Sequence, residues 1–440
     1  MNAIPRERAV VLGGGIAGLL AARILSQYFV SVVVVDRDSF DDSVIARRGT
    51  PQARHLHGLL ARGHEVLETL FPGLTAELVD AGAPIGDMLV NTRLSFGGQR
   101  FAAGPSGLTA LCVSRPTLET AIRRRVAALP GVRLCGGRDI AGLASSTDRR
   151  QVTGVRVVDR QDGTEETWSA DLTVVATGRG SRLPAWLSEL GYTPPTTERV
   201  ALDVGYASQR VRLPAESLGD DLVVLSAPTP ATPRGGALSL IEGGCCLVTL
   251  MGVLGDHPPV DQDGFRRFAT DVALPDLANL IDTSEPLDPP VAFRHPVALR
   301  HRYDRMPSAP DGLVVLGDAV CSLNPIYGQG MTVAALQALA LGRRLDETSF
   351  ETRRCLRDVG RISGVAWSLA LAADLSYPQV EGRRSFSGRL MSRYITRVQV
   401  GAARDPGLGR AFLRVTSLVD PPPALLRPSV VRRVVLASAG

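Results

Sequence analysis

The sequence contains no lysine: all 49 basic residues among its 440 are arginine. Without that amine there is no P-loop lysine to bind nucleotide phosphates and no Schiff-base lysine. Cysteine is scarce and unpatterned. The six, at positions 112, 135, 245, 246, 321 and 355, show no C-x-x-C spacing. They read as reduced, mostly buried thiols of a cytoplasmic enzyme. No apolar run reaches the ~18 residues of a membrane span, so stable membrane insertion is not expected. The arginines are scattered, with short clusters at Arg123–Arg125 and Arg432–Arg433, and the formal net charge is +5. That pattern suits solvated helix faces and gives no footprint for nucleic acid.

What is present begins at residue 9. Ala9–Leu12 is a short apolar run of the kind that makes a buried parallel strand. Gly13, Gly15 and Gly18 follow in G-x-G-x-x-G spacing, with Ile16 and Ala17 between the last two. A helix is expected over Leu19–Tyr28 and a second strand over Ser31–Val35, ending on Asp36 and Arg37. Gly13 permits the tight turn, Gly15 lets a pyrophosphate approach the backbone, and Gly18 lets helix and strand pack closely. The helix N-terminus offers unpaired N–H groups to phosphates. Asp36 has the spacing of the acid that binds a ribose hydroxyl. Because the acidic strand end follows the glycine triplet, the apolar N-terminal run reads as part of a folded unit and not as a signal peptide.

Further along, Asp38–Gln52 is polar and loop-like, and a helix is expected over Leu59–Leu70. His55, His57 and His64 invite a metal reading, but no cysteine or carboxylate set completes a site. Plain packing of the loop, or lining of a pocket in which Arg47 or Arg48 meets a cofactor phosphate, are the alternatives. A hairpin is expected at Gly97–Gly98 and another at Asp162–Gly163. Ser114 reads as the N-cap of a helix opening at Arg115 and Pro116. Asp171–Arg182 is a buried strand running into a loop with Gly178. Residues 183–300 are strand-like and proline-punctuated, as in an inserted antiparallel sheet. Leu313–Ala319 returns to a buried strand, followed by the loop Asn324–Met331 and a long helix.

Three strand ends that bear glycine thus line up: Gly13–Asp36, Ala176–Arg182 and Gly317–Met331. Together they resemble the flavoprotein monooxygenases with a single dinucleotide-binding domain, which include the aromatic hydroxylases and squalene epoxidase. The resemblance implies an α/β fold: a Rossmann-like FAD-binding domain (1–82, 102–182 and 301–345), an inserted antiparallel-sheet substrate domain (83–101 and 183–300) and a helical C-terminal region (346–440). It implies FAD as cofactor. Gly13, Gly15 and Gly18 would hold its pyrophosphate, and Asp36 the ribose. Arg47 or Arg48 would meet its phosphate or ribitol region. Arg115 matches the arginine opening the helix before the adenine-side strand, and the Ile140 backbone matches the adenine contact. Asp318 matches the acid at the ribityl–pyrophosphate end. Pro325, Gly328, Gly330 and Met331 match the loop and helix start beside the flavin ring. The chain departs from the aromatic hydroxylases at Ala176–Gly178, where those carry Cys-Asp-Gly. That leaves open whether NAD(P)H reduces the flavin directly or through a separate flavin reductase.

A narrower likeness lies in Arg48–Leu60, which is similar to the loop of actinobacterial polyene epoxidases of polyether biosynthesis. The Asp374 region and Pro421–Pro423 look similar too. The resemblance implies a monooxygenase acting through a C4a-hydroperoxyflavin on a lipophilic polyketide alkene, with no catalytic side chain identified. Aromatic hydroxylation, a prenyl-lipid type reductase and a non-catalytic flavin protein stay open. Halogenases are disfavoured, since their lysine and Trp-x-Trp-x-Ile-Pro run are missing.

Overall fold

The computed structural model describes residues 6–40, 47 and 49–438. Arg6–Leu12 lies at the centre of a five-stranded parallel sheet, flanked by Phe29–Val35 and Leu172–Val175, with Val132–Cys135 and Leu313–Val315 outside them. Ala9–Leu12 are fully buried. Helices cover both faces of such a sheet, which is why its strands read as unbroken apolar runs. The first crossover helix, Ile16–Leu25, packs against the long helix Gly330–Leu345. A β-carbon on Gly18 would overlap the Gly13 carbonyl oxygen, so only glycine allows this approach.

A second sheet of nine strands rises beside the first. Its central members are Val291–His301, Thr197–Arg212, Cys246–Gly252 and Arg234–Leu240, all antiparallel. The expectation of a wholly antiparallel sheet needs one correction: Thr92–Phe96 joins Val223–Ser226 in parallel. The two run together because Leu222 N–H bonds to the Asn91 carbonyl and Ala227 N–H to the Ser95 carbonyl. Arg93 is also clamped to Asp221. Cys321–Ser322, in the segment that leaves the parallel sheet after Leu313–Val315, adds the strand at the other edge.

Strand alternation gives the nine-stranded sheet two faces. Ala207, Val211, Leu238, Val248 and Leu250 pack beneath helices Gln262–Thr270 and Pro275–Asp282. Tyr206, Ala237 and Met251 point the other way and join the core of the parallel-sheet domain. Helices Phe386–Ala402, Pro406–Thr416 and Pro428–Ser438 cover the outer hairpin 92–100. There Phe96, Phe101 and Phe412 meet with ring centroids 5.3–5.5 Å apart.

One carboxylate pins the sheet to the helix that carries Arg115. Glu242, in the turn joining two central strands, accepts from Ser114 N–H at 2.9 Å, from Ser114 Oγ and from Thr117 Oγ1. It caps the helix Arg115–Ala127 from outside, while Ser114 caps it from within. Glu242→Ala removes charge-assisted hydrogen bonds from that junction. We expect a loss of about 1.5–3 kcal/mol in urea unfolding, and an unchanged midpoint would dissolve the junction.

Candidate functional site

The glycine turn divides its labour. Gly13 has φ +101°, a conformation that glycine adopts freely, and a β-carbon there would run into the Ala176 carbonyl. Gly18 is closed by Gly13. Gly15 is different: its φ of −77° suits any residue, and no atom lies within 4 Å of where its β-carbon would be. It caps the helix Ile16–Leu25, whose first turn has no side-chain cap and no acid. The N–H groups there are therefore free for an anion.

Around this turn the structure gathers most of the sequence-identified residues. Asp36 stands at the end of the second strand and accepts from Gly14 N–H at 2.6 Å and Asp38 N–H at 2.9 Å. Arg37 is exposed beside it. Arg138 N–H bonds to the Asp36 carbonyl and starts the strand Arg138–Ser145, which carries Ile140. Gly317 packs against Ala17, and Gly317 N–H donates to Gln337 Oε1 at 2.7 Å. Burial raises the Asp318 carboxyl above its ordinary range, and the Arg115 and Arg179 charges oppose that rise. Gly178, with φ +72°, also faces open space. Gly328, with φ +63°, ends the turn Pro325–Tyr327 near the Gly58 carbonyl. Gly330 and Met331 open the long helix, and Asp318 Oδ1 is 3.9 Å from where a Gly330 β-carbon would be.

Arg47 is the hub of this region. Its guanidinium donates to Glu119 Oε1 at 2.6 Å and to the Gly14 carbonyl at 2.9 Å, and lies 3.3 Å from Asp36. Burial works against its charge, but Glu119, Asp36 and Asp38 outweigh it and hold the proton more firmly than usual. Arg48 lies outside the described residues. Glu119 was missed in the sequence, although its i+4 spacing from Arg115 was a signal. It is 4% exposed and shared, with Arg47 on one oxygen and Arg115 on the other at 3.2 Å.

The sheet face opposite the loop 324–331 carries a second group. Asn324 and Tyr327 both donate to Asp374 Oδ1, at 2.9 and 2.7 Å. Burial raises the Asp374 carboxyl, and these two bonds oppose the rise. Tyr206 and Phe293 face each other across two strands, and the His55 ring packs on both, with centroids 6.2 and 5.4 Å away. His55 Nδ1 is 2.8 Å from Ser208 Oγ. Arg179 donates to His295 Nδ1 at 2.9 Å, which requires a neutral imidazole there. Burial lowers both His55 and His295 to about 4, with Arg54 and Arg179 adding to the effect. His57 bonds to the His55 carbonyl and His64 to Thr75, and the described residues hold no cluster suited to a metal ion.

FAD can be tested against these residues. An uncapped helix start, glycines facing open space at 15 and 178, and a buried Gln329 Oε1 with no hydrogen-bond partner among the described residues all suit a polar dinucleotide. Comparison with known proteins agrees. The family described as FAD binding domain matches residues 7–354. Protein Rv3254 of Mycobacterium tuberculosis is 34% identical over 94% of this chain and 90% of its own length. Kynurenine 3-monooxygenase of Salinispora arenicola is 31% identical over 75% of this chain and 70% of its own. Among solved structures, a flavoprotein/dehydrogenase from Cytophaga hutchinsonii superposes with a TM-score of 0.68 at 16% identity, covering 98% of each chain.

Two outcomes follow from the geometry. Gly15→Val places its β-carbon in open space before the helix, so it should abolish FAD binding while leaving the thermal midpoint of the flavin-free protein nearly unchanged. Normal flavin content in that variant would displace the phosphate site. Buried neutral histidines make stability depend on acid. The unfolded chain takes up protons below about pH 6.5, while folded His55 and His295 stay neutral to about 4. Stability should therefore fall as pH drops through that window, by up to about 1.4 kcal/mol per pH unit for each histidine. Urea midpoints at pH 7.5 and pH 5 measure it, and equal midpoints would mean that these imidazoles titrate normally.

Proposed function

Because the chain belongs to the FAD-binding-domain family of FAD-dependent monooxygenases, we propose that it inserts one oxygen atom from O2 into a lipophilic natural-product intermediate, epoxidising an alkene of a polyketide. When bound, FAD supplies the redox chemistry, drawing electrons from NAD(P)H directly or through a separate flavin reductase and activating O2. The chain supplies position and dryness. The N–H groups at Ile16 and Ala17, with Gly15 and the Arg47 region, take the pyrophosphate. Asp36 and Ile140 serve the adenosine half, and Asp318 the ribityl end. Pro325, Gly328 and the helix start at Gly330–Met331 would hold the flavin ring, and the helix dipole there would favour negative charge developing on it. The sheet of residues 183–300 walls the substrate and keeps water away.

One observation carries the choice of an alkene. The sheet face toward the loop 324–331 presents Tyr206, Ser208, Thr249, Met251 and Phe293, none of them charged. The carboxylate whose charge acts on Tyr206, Asp374, is engaged by Asn324 and Tyr327. Alkene oxidation needs no base to deprotonate the substrate, whereas a phenol benefits from one. The Arg48–Leu60 likeness to polyene epoxidases points the same way. The match to kynurenine 3-monooxygenase favours aromatic hydroxylation as the second reading.

The test is incubation with labelled dioxygen, NADPH and a flavin reductase, using paired polyene and phenol substrates. Labelled epoxide from the polyene is expected. Turnover of the phenol alone, to a labelled hydroxylated product, would move the chain to the aromatic hydroxylases. Saturation of a double bond without label would make it a reductase.

A further inference from the structure

Three polar atoms on the substrate face of the nine-stranded sheet have no hydrogen-bond partner among the described residues: His295 Nε2 and, beside each other, His55 Nε2 and the Tyr206 hydroxyl, on which the argument turns. His55 is 5% exposed and Tyr206 7%. Native interiors seldom leave such groups unsatisfied, because each carries its full desolvation penalty unless something binds to it. The two belong to one place. Tyr206 and Ser208 are two apart on one strand and so face the same way, and His55 reaches Ser208 with Nδ1 while its ring packs on Tyr206 and Phe293.

The hydrogen bonds behind His55 fix which ring nitrogen carries the proton. Leu56 N–H donates to Thr249 Oγ1 at 3.0 Å. Among the described residues the Thr249 hydroxyl then has one acceptor within reach, Ser208 Oγ at 2.6 Å. Ser208 in turn must donate to His55 Nδ1, at 2.8 Å. The reverse order would leave the Thr249 proton without an acceptor at a residue 2% exposed. His55 is therefore the Nε2–H tautomer, and its unpartnered nitrogen is a donor. Tyr206 O–H is a donor as well. Burial and the nearby Asp374 hold the phenol protonated, and burial holds the imidazole neutral.

We propose that His55 Nε2–H and Tyr206 O–H form an anchor for a single oxygen acceptor on an otherwise apolar substrate, a carbonyl group being the chemistry that suits two neutral donors. The anchor refines the lipophilic-substrate reading above and rests on it for the pocket's purpose. A carbonyl oxygen has two lone pairs and carries no proton of its own, so it satisfies both groups at once. A pure hydrocarbon of the same shape would leave both unpaired, which is where discrimination by polar sites becomes large. His55 and Tyr206 are positioning residues in this account. A donor imidazole with no free lone pair toward the substrate does not act as a base.

The experiment measures binding, so it is separate from turnover. FAD-loaded protein is titrated with geranylacetone and with the hydrocarbon in which a methylene replaces its carbonyl, following the flavin absorbance change and heat of binding. In the wild type the ketone should bind at least tenfold more tightly. Tyr206→Phe removes only the hydroxyl and should shrink that preference severalfold while leaving hydrocarbon affinity unchanged. His55→Phe should do the same, and the double variant should abolish the preference. If His55→Phe fails to fold, Tyr206→Phe still decides. Equal binding of the two probes by the wild type, no binding of either, or a preference that survives in Tyr206→Phe overturns the anchor. A ketone preference lost in the variants, from a protein that incorporates no labelled oxygen, upholds the anchor and removes the oxygenase reading instead.

Discussion

A single buried anion organises the cofactor side of this molecule. Glu119 sits in the interior with Arg47 on one carboxylate oxygen and Arg115 on the other. Unpaired, such a charge would be expelled or neutralised; paired on both sides, it joins elements far apart in the chain. Arg47 brings in the loop after the second strand, Asp36 at that strand's end and the Gly14 carbonyl in the glycine turn. Arg115 brings in the helix start capped by Glu242, and its charge reaches Asp318 and His57. Breaking a pair of this kind costs about 3–5 kcal/mol, because the partner is left as a lone buried charge.

The second organising feature is the two-faced sheet. One face is sealed by helices, and the other joins the core of the parallel-sheet domain. The loop 324–331 is held opposite that second face by Asp374, from the end of the helix Thr352–Asp374. The C-terminal helices contribute on both sides of the problem, through Asp374 at the loop and through Phe412 beneath the outer hairpin.

Local rules made much of this legible. The glycine turn, the buried strands, the Ser114 cap and the hairpins at 97–98 and 162–163 follow from spacing and turn chemistry within a few residues, and each is present. Long-range choices were not legible. The parallel pairing of 92–96 with 223–226 depends on a clamp between Arg93 and Asp221, far apart in sequence. Nothing in the sequence sets Tyr206 apart, because its alternation is that of any half-buried strand. Only the structure shows that its hydroxyl has no partner among the described residues and that His55 lies over it. Glu119 could have been found from its spacing to Arg115, but nothing local says that Arg47 would share it.

The central claim is that the turn at Gly13–Gly18, Asp36 and the Gly317–Met331 strand end form one cradle for a dinucleotide flavin. Titration of flavin-free protein with FAD and, separately, with FMN tests it most directly, because FMN lacks the adenosine half and the pyrophosphate bridge. One FAD should bind per chain, and FMN should bind far more weakly. Equal affinity for FMN, or no binding of FAD, would contradict the account.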